Sequence, residues 1–354
     1  MIKVLITEDS PVVRGYLKYI LESDPEIQVV GVAEDGLEAV EMVKEKQPDV
    51  ITMDIHMPRM DGFEATRQIM ETSPVPIVIC SASWNPEEVE KTFKTIEAGA
   101  VAALEKPRGM GHPGSEDSVT ELVRTVKLMS GVKVVRRWSK RKYQVDSSEE
   151  TPKSRGFSVQ KDYKLVAIGA STGGPLVLQT VLAGLPKDFP VPVVIVQHIA
   201  QGFLSGLADW LTRTTGFPVH IVENHEKMLP GNAYLAPDGF QLGIDVNLRA
   251  ILSDNKGEFT LCPAVSHFYR SVSKVFRNKT IAVLLTGMGR DGAPELKQLR
   301  DLGAMTIAQD KETSVVHGMP GEAIKLGGAS LILSSTEIPA KLVELVGQSA
   351  IAQP

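Results

Sequence analysis

The sequence predicts an α/β protein of two domains, each a parallel sheet covered by helices on both faces. Its 354 residues suit about two domains at roughly 150 residues each. Short apolar runs alternate with longer amphipathic stretches through both halves of the chain. Charge divides the chain into three parts: residues 1–130 carry 13 basic and 23 acidic side chains, residues 131–164 carry 10 and 4, and residues 165–354 carry 15 and 16. The charge pattern marks the middle piece as a linker, and the expected bounds are 1–127 for the first domain, 128–161 for the basic linker and 162–354 for the second domain.

In the first region IKVLIT, IQVVGVA, DVITMDI, PIVICSA and AVAALEK read as strands, with helix-like segments such as GLEAVEMVKEK between them. That is a doubly wound (βα)5 pattern. In the larger second region KLVAIGA, PVPVVIVQH, IAVLLTG and AMTIAQD read as strands of a parallel sheet. The stretch YLAPDGFQLGIDVNLRAILSD reads as a β-hairpin insertion, turning at Pro237-Asp238-Gly239 and again near Asp245 to Asn247. The middle segment, with Arg136, Arg137, Lys140, Arg141 and Lys142, is polar and turn-rich, and reads as a solvated tether. Those cations could hold phosphates of nucleic acid or lipid, but no DNA-reading motif follows them, and a nearly neutral, sheet-rich output region argues against a DNA-binding regulator.

With 43% hydrophobic and 23% charged residues, the composition is that of an ordinary globular protein and excludes wholesale disorder. Cys80 and Cys262 lie far apart and in no pattern with histidine, against a disulfide framework or zinc site. The opening MIKVLIT has no cleavable signal pattern, and the longest apolar runs fall short of the ~20 residues a membrane span needs. A cytoplasmic location without membrane insertion is the expectation.

Polar groups end four predicted strands of the first domain: Glu8 and Asp9, Asp54, Ser81, and Lys106. Ligands of doubly wound sheets collect at those carboxyl ends. Carboxylates converging there repel one another unless a hard cation sits among them, and all-oxygen ligation suits Mg²⁺. A carboxylate beside Mg²⁺, with an ammonium and a hydroxyl nearby, is equipped to accept a phosphoryl group, so Asp54 is the expected acceptor. Glu8-Asp9, the segment MDIHMPRMDGFE around Asp54, the Ser81 segment and the Lys106-Pro107 pair resemble a two-component receiver domain over about 127 residues. The resemblance implies Mg²⁺ held by Glu8, Asp9, Asp54 and the His56 carbonyl, switch roles for Ser81 and Lys106, and a cis Lys106–Pro107 bond. It also exposes a departure, because Ala103 stands where receivers commonly carry an aromatic switch residue.

In the second domain, Gly169-Ala170-Ser171-Thr172-Gly173-Gly174-Pro175 joins an apolar strand to a helix-like segment. A serine on such a turn exposes its hydroxyl above the sheet. The same glycine-rich turn could cradle a phosphate, although no Gly-Lys-Ser/Thr follows. Of the seven histidines only His198 ends a strongly apolar strand, at the edge where Ser171 lies; His56 and His112 belong to the first domain, and His220, His225, His267 and His317 lie in other settings. IAVLLTGMGRDGA brings Asp291 from another strand end through a glycine-rich loop, with Asp310 as the competing carboxylate. The order serine, histidine, aspartate argues against a lipase-type fold.

IGASTGGP, VQH, YLAPDG, TGMGRDGA and QDKETSVVHGMPGEAIKLG together resemble the CheB-type chemotaxis protein-glutamate methylesterases over essentially all of 162–354. The resemblance implies a Ser171–His198–Asp291 triad, with the Thr172 hydroxyl and Met288 N–H as oxyanion donors. It implies hydrolysis of γ-glutamyl methyl esters on the signalling helices of methyl-accepting chemoreceptors, deamidation of receptor glutamines, no cofactor for the esterase step, and a CheA-type histidine kinase as phosphodonor. A phosphorylation-dependent scaffold is the alternative that would need no triad. Two departures stand out: Ile199-Ala200-Gln201 follows His198 where the family usually has Met-Pro, and Gln241 stands where many members have histidine.

Overall fold

The computed structural model describes residues 1–81, 86–107, 109, 115–132, 134 and 162–350. The five cations of the basic middle segment and His112 lie outside them, as does most of the expected linker.

The first domain runs β1 (Ile2–Thr7), α1 (Pro11–Glu22), β2 (Ile27–Ala33), α2 (Gly36–Lys46), β3 (Val50–Met53), α3 (Gly62–Thr72), β4 (Ile77–Ser81), α4 (Pro86–Ala98), β5 (Ala102–Glu105) and α5 (Ser115–Met129). Its strands form a five-stranded parallel sheet in the order β2-β1-β3-β4-β5. Asp35 starts α2 by accepting the N–H groups of Leu37 and Glu38 at 2.8 and 3.1 Å, and Asp61 starts α3 by accepting from Glu64 at 2.8 Å. The strand order reverses between β1 and β3, which puts the crevice of this sheet beside Glu8, Asp9 and Asp54.

The second domain continues β6 (Leu165–Ala170), α6 (Gly174–Ala183), β7 (Val193–Gln197), α7 (Leu204–Thr215), β8 (Val219–Ile221), β9 (Ala233–Leu235), β10 (Phe240–Ile244), β11 (Ala250–Asp254) and α8 (Val265–Val275). It ends with β12 (Thr280–Leu284), α9 (Ala293–Asp301), β13 (Met305–Gln309), α10 (Met319–Lys325), β14 (Leu331–Leu333) and α11 (Glu337–Ala350). Seven parallel strands lie in the order β14-β13-β12-β6-β7-β9-β8. The reversal falls at β6, between β7 and β12, the three strands that lead to the Ser171, His198 and Asp291 loops. β6, β7 and β12 are buried along their whole length, as strands covered on both faces should be.

Only part of the expected hairpin forms. β10 and β11 pair antiparallel through a turn in which Asp245 Oδ1 accepts the N–H groups of Asn247 and Arg249, each at 2.8 Å. The turn expected at Pro237-Asp238-Gly239 does not make a second hairpin, because β9 runs parallel between β7 and β8. All three residues of β9 are buried, and a position between two strands of the large sheet buries both of its faces where a hairpin would leave one in water. Lys106–Pro107 is not cis; among the described residues the only cis peptide is Cys262–Pro263. Cys80 and Cys262 are both free. Among the described residues no helix is long and apolar enough to cross a membrane.

One buried apolar cluster spans both domains. Phe93 of α4 is fully buried and stacks on Trp210 of α7, with ring centroids 5.0 Å apart and planes at 15°, while Phe203 meets Phe93 edge-on at 6.2 Å. Trp210 Nε1 donates to Glu97 of α4 at 2.9 Å, which satisfies the indole N–H in its buried setting.

Packing beneath Ser171 gives a test of this architecture. A Cβ at Gly169 would collide with Val265 Cγ1 of α8 and approach Leu284 of β12 to 3.0 Å. Gly169→Ala is expected to lower stability by about 1–3 kcal/mol through overpacking, read as a fall of several degrees in the Tm of the second domain by calorimetry; an unchanged Tm would mean that α8 does not pack on β6 as described.

Candidate active site

Ser171 is tethered to both neighbouring strand ends. Its N–H donates to the Thr286 carbonyl at 3.0 Å, beyond β12, and its carbonyl accepts from Gln197 Nε2 at 2.9 Å, at the end of β7. Gly173, with φ of +77°, closes the turn that starts α6. No hydrogen bond to Ser171 Oγ occurs among the described residues. His198 follows β7, and its N–H completes the ladder by donating to Ala170 at 2.9 Å. His198 Nε2 lies 3.0 Å from Asp291 Oδ2, with the N–H poorly aligned for a hydrogen bond. Nδ1 is therefore the ring nitrogen that Asp291 leaves free.

Asp291 is anchored by a helix that has no cap of its own. The N–H groups of Val265 and Ser266, at the head of α8, donate to Oδ2 at 2.7 Å and Oδ1 at 2.9 Å. Ser266 Oγ in turn donates to Glu295 at 2.7 Å and accepts from Gly292 at 2.9 Å, fixing the far side of the loop. Burial alone would raise the Asp291 carboxyl, but the His198 ring beside it and the hydrogen bond from Ser266 outweigh that and hold the group below the ordinary carboxylate range. Gln241 explains its own departure from histidine. It is buried, donates to the Leu261 carbonyl at 2.7 Å and accepts from Ala264 at 2.8 Å, so one neutral side chain serves both ends of the turn leading into α8.

Ser171, Thr172, His198, Met288 and Asp291 line one cavity of about 1430 Å³. Its lining also includes Ala103 and Arg124 of the first domain. Asp310 belongs elsewhere: its Oδ1 accepts from the N–H and hydroxyl of Thr313 at 2.9 and 2.6 Å in a local turn.

At the edge of the first sheet, ligand atoms of Glu8, Asp9 and Asp54 all lie within 4.8 Å of one another. Lys106 Nζ stands 2.7 Å from Glu8 Oε2 and 2.9 Å from Asp54 Oδ2. Ser81 is buried beside them at the end of β4. Burial pushes the Glu8 and Asp54 carboxyls up, more than Lys106 pulls them down. Lys106 itself is raised, because the two carboxylates outweigh its own burial. One ammonium among three acids leaves excess negative charge on an all-oxygen donor set, which fits a hard divalent cation.

The match to known proteins follows the same division. A family profile described as CheB methylesterase matches residues 166–342, and one described as response regulator receiver domain matches residues 4–112. A relative from Syntrophus aciditrophicus, named protein-glutamate methylesterase/protein-glutamine glutaminase 1, is 51% identical over 99% of this chain and 100% of its own. The chain belongs to the CheB methylesterase family. A Geobacter metallireducens relative with the same enzyme name, numbered 4, is 52% identical over 98% of this chain and 99% of its own. The crystal structure of the Thermotoga maritima CheB methylesterase catalytic domain aligns with a TM-score of 0.50 and 41% identity, over 52% of this chain and 99% of that one.

The receiver cluster has a pH signature. Because the folded state holds protons on Glu8 and Asp54 more tightly than the unfolded chain does, lowering the pH from 7 toward their raised values should stabilise the receiver. Asp54→Asn, which removes one of the buried charges, should raise the urea midpoint of metal-free protein at pH 7 and flatten that pH dependence. Equal midpoints and equal slopes for the two proteins would show that Asp54 is not held against its ionisation.

Proposed function

We propose that this protein is a phosphorylation-gated protein-glutamate methylesterase and protein-glutamine deamidase acting on methyl-accepting chemoreceptors. The observation that carries the chemistry is His198 held 3.0 Å from a buried, amide-anchored Asp291, at the sheet edge where the β6 turn presents Ser171. In this reading Ser171 Oγ attacks the γ-carbonyl of a glutamyl methyl ester while His198 takes its proton and passes it to the departing methanol. The Thr172 hydroxyl and the Met288 N–H receive the oxyanion. Water, deprotonated by His198, then cleaves the acyl-enzyme to free glutamate, and His198 returns the proton to Ser171. With glutamine the same steps release ammonia. Asp291 fixes which imidazole nitrogen carries the proton and stabilises the cation as it forms.

The bounds that go with this reading are 1–127 for the receiver, 128–161 for the linker and 162–354 for the methylesterase domain. Asp54 is the phosphoacceptor, with Glu8, Asp9 and the His56 carbonyl completing a Mg²⁺ site, and Ser81 and Lys106 contacting the phosphoryl oxygens. Mg²⁺, when bound, offsets the charge of the cluster toward an incoming phosphoryl dianion. The phosphodonor is a histidine kinase of the CheA type, and the cytoplasm is the compartment this pairing implies. Gating is supported by the cavity, which residues of the receiver and Ser171 line together, and by the α4–α7 contact between the two domains. In this reading the receiver residues of the cavity stand in the way of a receptor helix, and the covered form is the inactive one. With Ala103 in place of an aromatic switch, α4 and its Phe93 are the route by which phosphorylation reaches the interface.

Ser171→Ala should abolish methanol release from methylated receptors, a loss on the order of a thousandfold or more, with an unchanged circular dichroism spectrum. Retention of activity within tenfold of the wild type would remove Ser171 from the nucleophile's role.

A further inference from the structure

Gln197 is the last residue of β7 and is only 3% exposed, yet its side chain does nothing for the sheet. Its backbone already pairs with Ala170, and the next ladder bond runs from the His198 N–H to the Ala170 carbonyl at 2.9 Å. The side chain reaches across the strand ends. Nε2 donates to the Ser171 carbonyl at 2.9 Å and to the His198 carbonyl at 2.7 Å. Two carbonyl acceptors require the nitrogen to face them, so the orientation of the amide is settled by its partners. Oε1 is buried and has no hydrogen-bond partner among the described residues. It abuts Gly174, where a Cβ would collide with it. Stripping an acceptor of water without replacing its partner destabilises the fold, so the arrangement is not the one that stability alone would choose.

We infer that Gln197 is a positioning residue that sets the separation of the nucleophile and the base by holding the backbone carbonyls of both on one amide nitrogen. The planar NH₂ group presents its two hydrogens at a fixed angle, and Gly174, having no Cβ, leaves room for Oε1 in this orientation. Ser171 and His198, carried by different strands, therefore move as one unit. No other natural side chain of this length is neutral, planar and able to donate twice from one atom: Glu has no donor when ionised, and Met has none at all. A displacement of about 1 Å between reacting groups costs on the order of a hundredfold in rate, which sets the size of the expected effect. The inference rests on the roles of Ser171 and His198 proposed above, and the experiment separates the two.

The test compares full-length wild type, Gln197→Met, Gln197→Glu and Ser171→Ala on a small neutral ester that reaches the cavity without a receptor. Gln197→Met should lower kcat by about a hundredfold with KM within about threefold. Gln197→Glu should be at least as poor at pH 8, and its rate relative to wild type should rise as the pH falls toward 5, because a protonated carboxyl restores one donor. His198 and Asp291, the ionisable groups nearby, are present in every variant, and the Gln197→Met ratio over the same pH range, with no ionisable side chain at 197, is the control for them. In the unmodified protein both Nε2 protons should exchange slowly with solvent by NMR, a readout that survives if either variant fails to fold. A folded Gln197→Met with wild-type kcat, a flat Gln197→Glu ratio, or rapid exchange of either proton would overturn the inference. An active Ser171→Ala would instead overturn the functional reading on which it stands.

Discussion

A carboxylate taken out of water must find donors, and the way Asp291 finds them organises the catalytic half of this protein. The head of α8 has backbone N–H groups with no side-chain cap, and Asp291, delivered from the far end of β12, supplies the missing acceptor. One contact satisfies a helix end and a buried charge together, with the positive end of the helix dipole favouring the ionised carboxylate. Around it the dependencies continue outward. Ser266 ties the same helix turn to Gly292 and Glu295, and Gln241 braces the turn before α8. His198 takes its place against a group that is already immobile, and preorganisation of this kind spares the reaction the cost of reorienting dipoles as charge develops.

Both domains place their chemistry where the strand order reverses, and for the same reason. At that point adjacent connections leave in opposite directions and open a crevice above the carboxyl ends of the strands. In the first domain the crevice gathers three carboxylates and an ammonium; in the second it gathers a hydroxyl, an imidazole and a carboxylate. The domains then meet through aromatic surface. Phe93, Phe203 and Trp210 are buried at their junction, and the Trp210–Glu97 hydrogen bond gives that contact a direction as well as an area. A junction of this size is compatible with regulation only if a competing state of the receiver lies within a few kcal/mol, which is the range a phosphorylation can shift.

Much of this was legible in the sequence because strand ends announce themselves. Apolar runs that stop at Asp54, Ser171 or His198 place those residues at the active edge without any knowledge of pairing partners, and the structure puts all three there. What the sequence concealed depends on contacts between distant segments. The Pro237-Asp238-Gly239 turn looked like a hairpin because turn chemistry is local, whereas the choice of β9 to join the large sheet depends on the burial offered by β7 and β8. The cap of α8 was invisible for the same reason, as Asp291 is 26 residues from Val265. Gln197 stands beside His198 in the sequence without marking itself, since a glutamine at a strand end carries no signal until its two acceptors are known. The interface residues Phe93 and Trp210 are ordinary amphipathic-helix positions until the domains are assembled.

The most direct measurement is made on the full-length protein with Mg²⁺, following methanol release from methylated receptor and hydrolysis of a small ester in parallel, before and after addition of acetyl phosphate. A receiver that acts by covering Ser171 predicts that phosphorylation raises the receptor rate by about tenfold or more, equivalent to roughly 1.4 kcal/mol in the domain equilibrium, while the small-ester rate changes little. Equal stimulation of both substrates, or none of either, would contradict it.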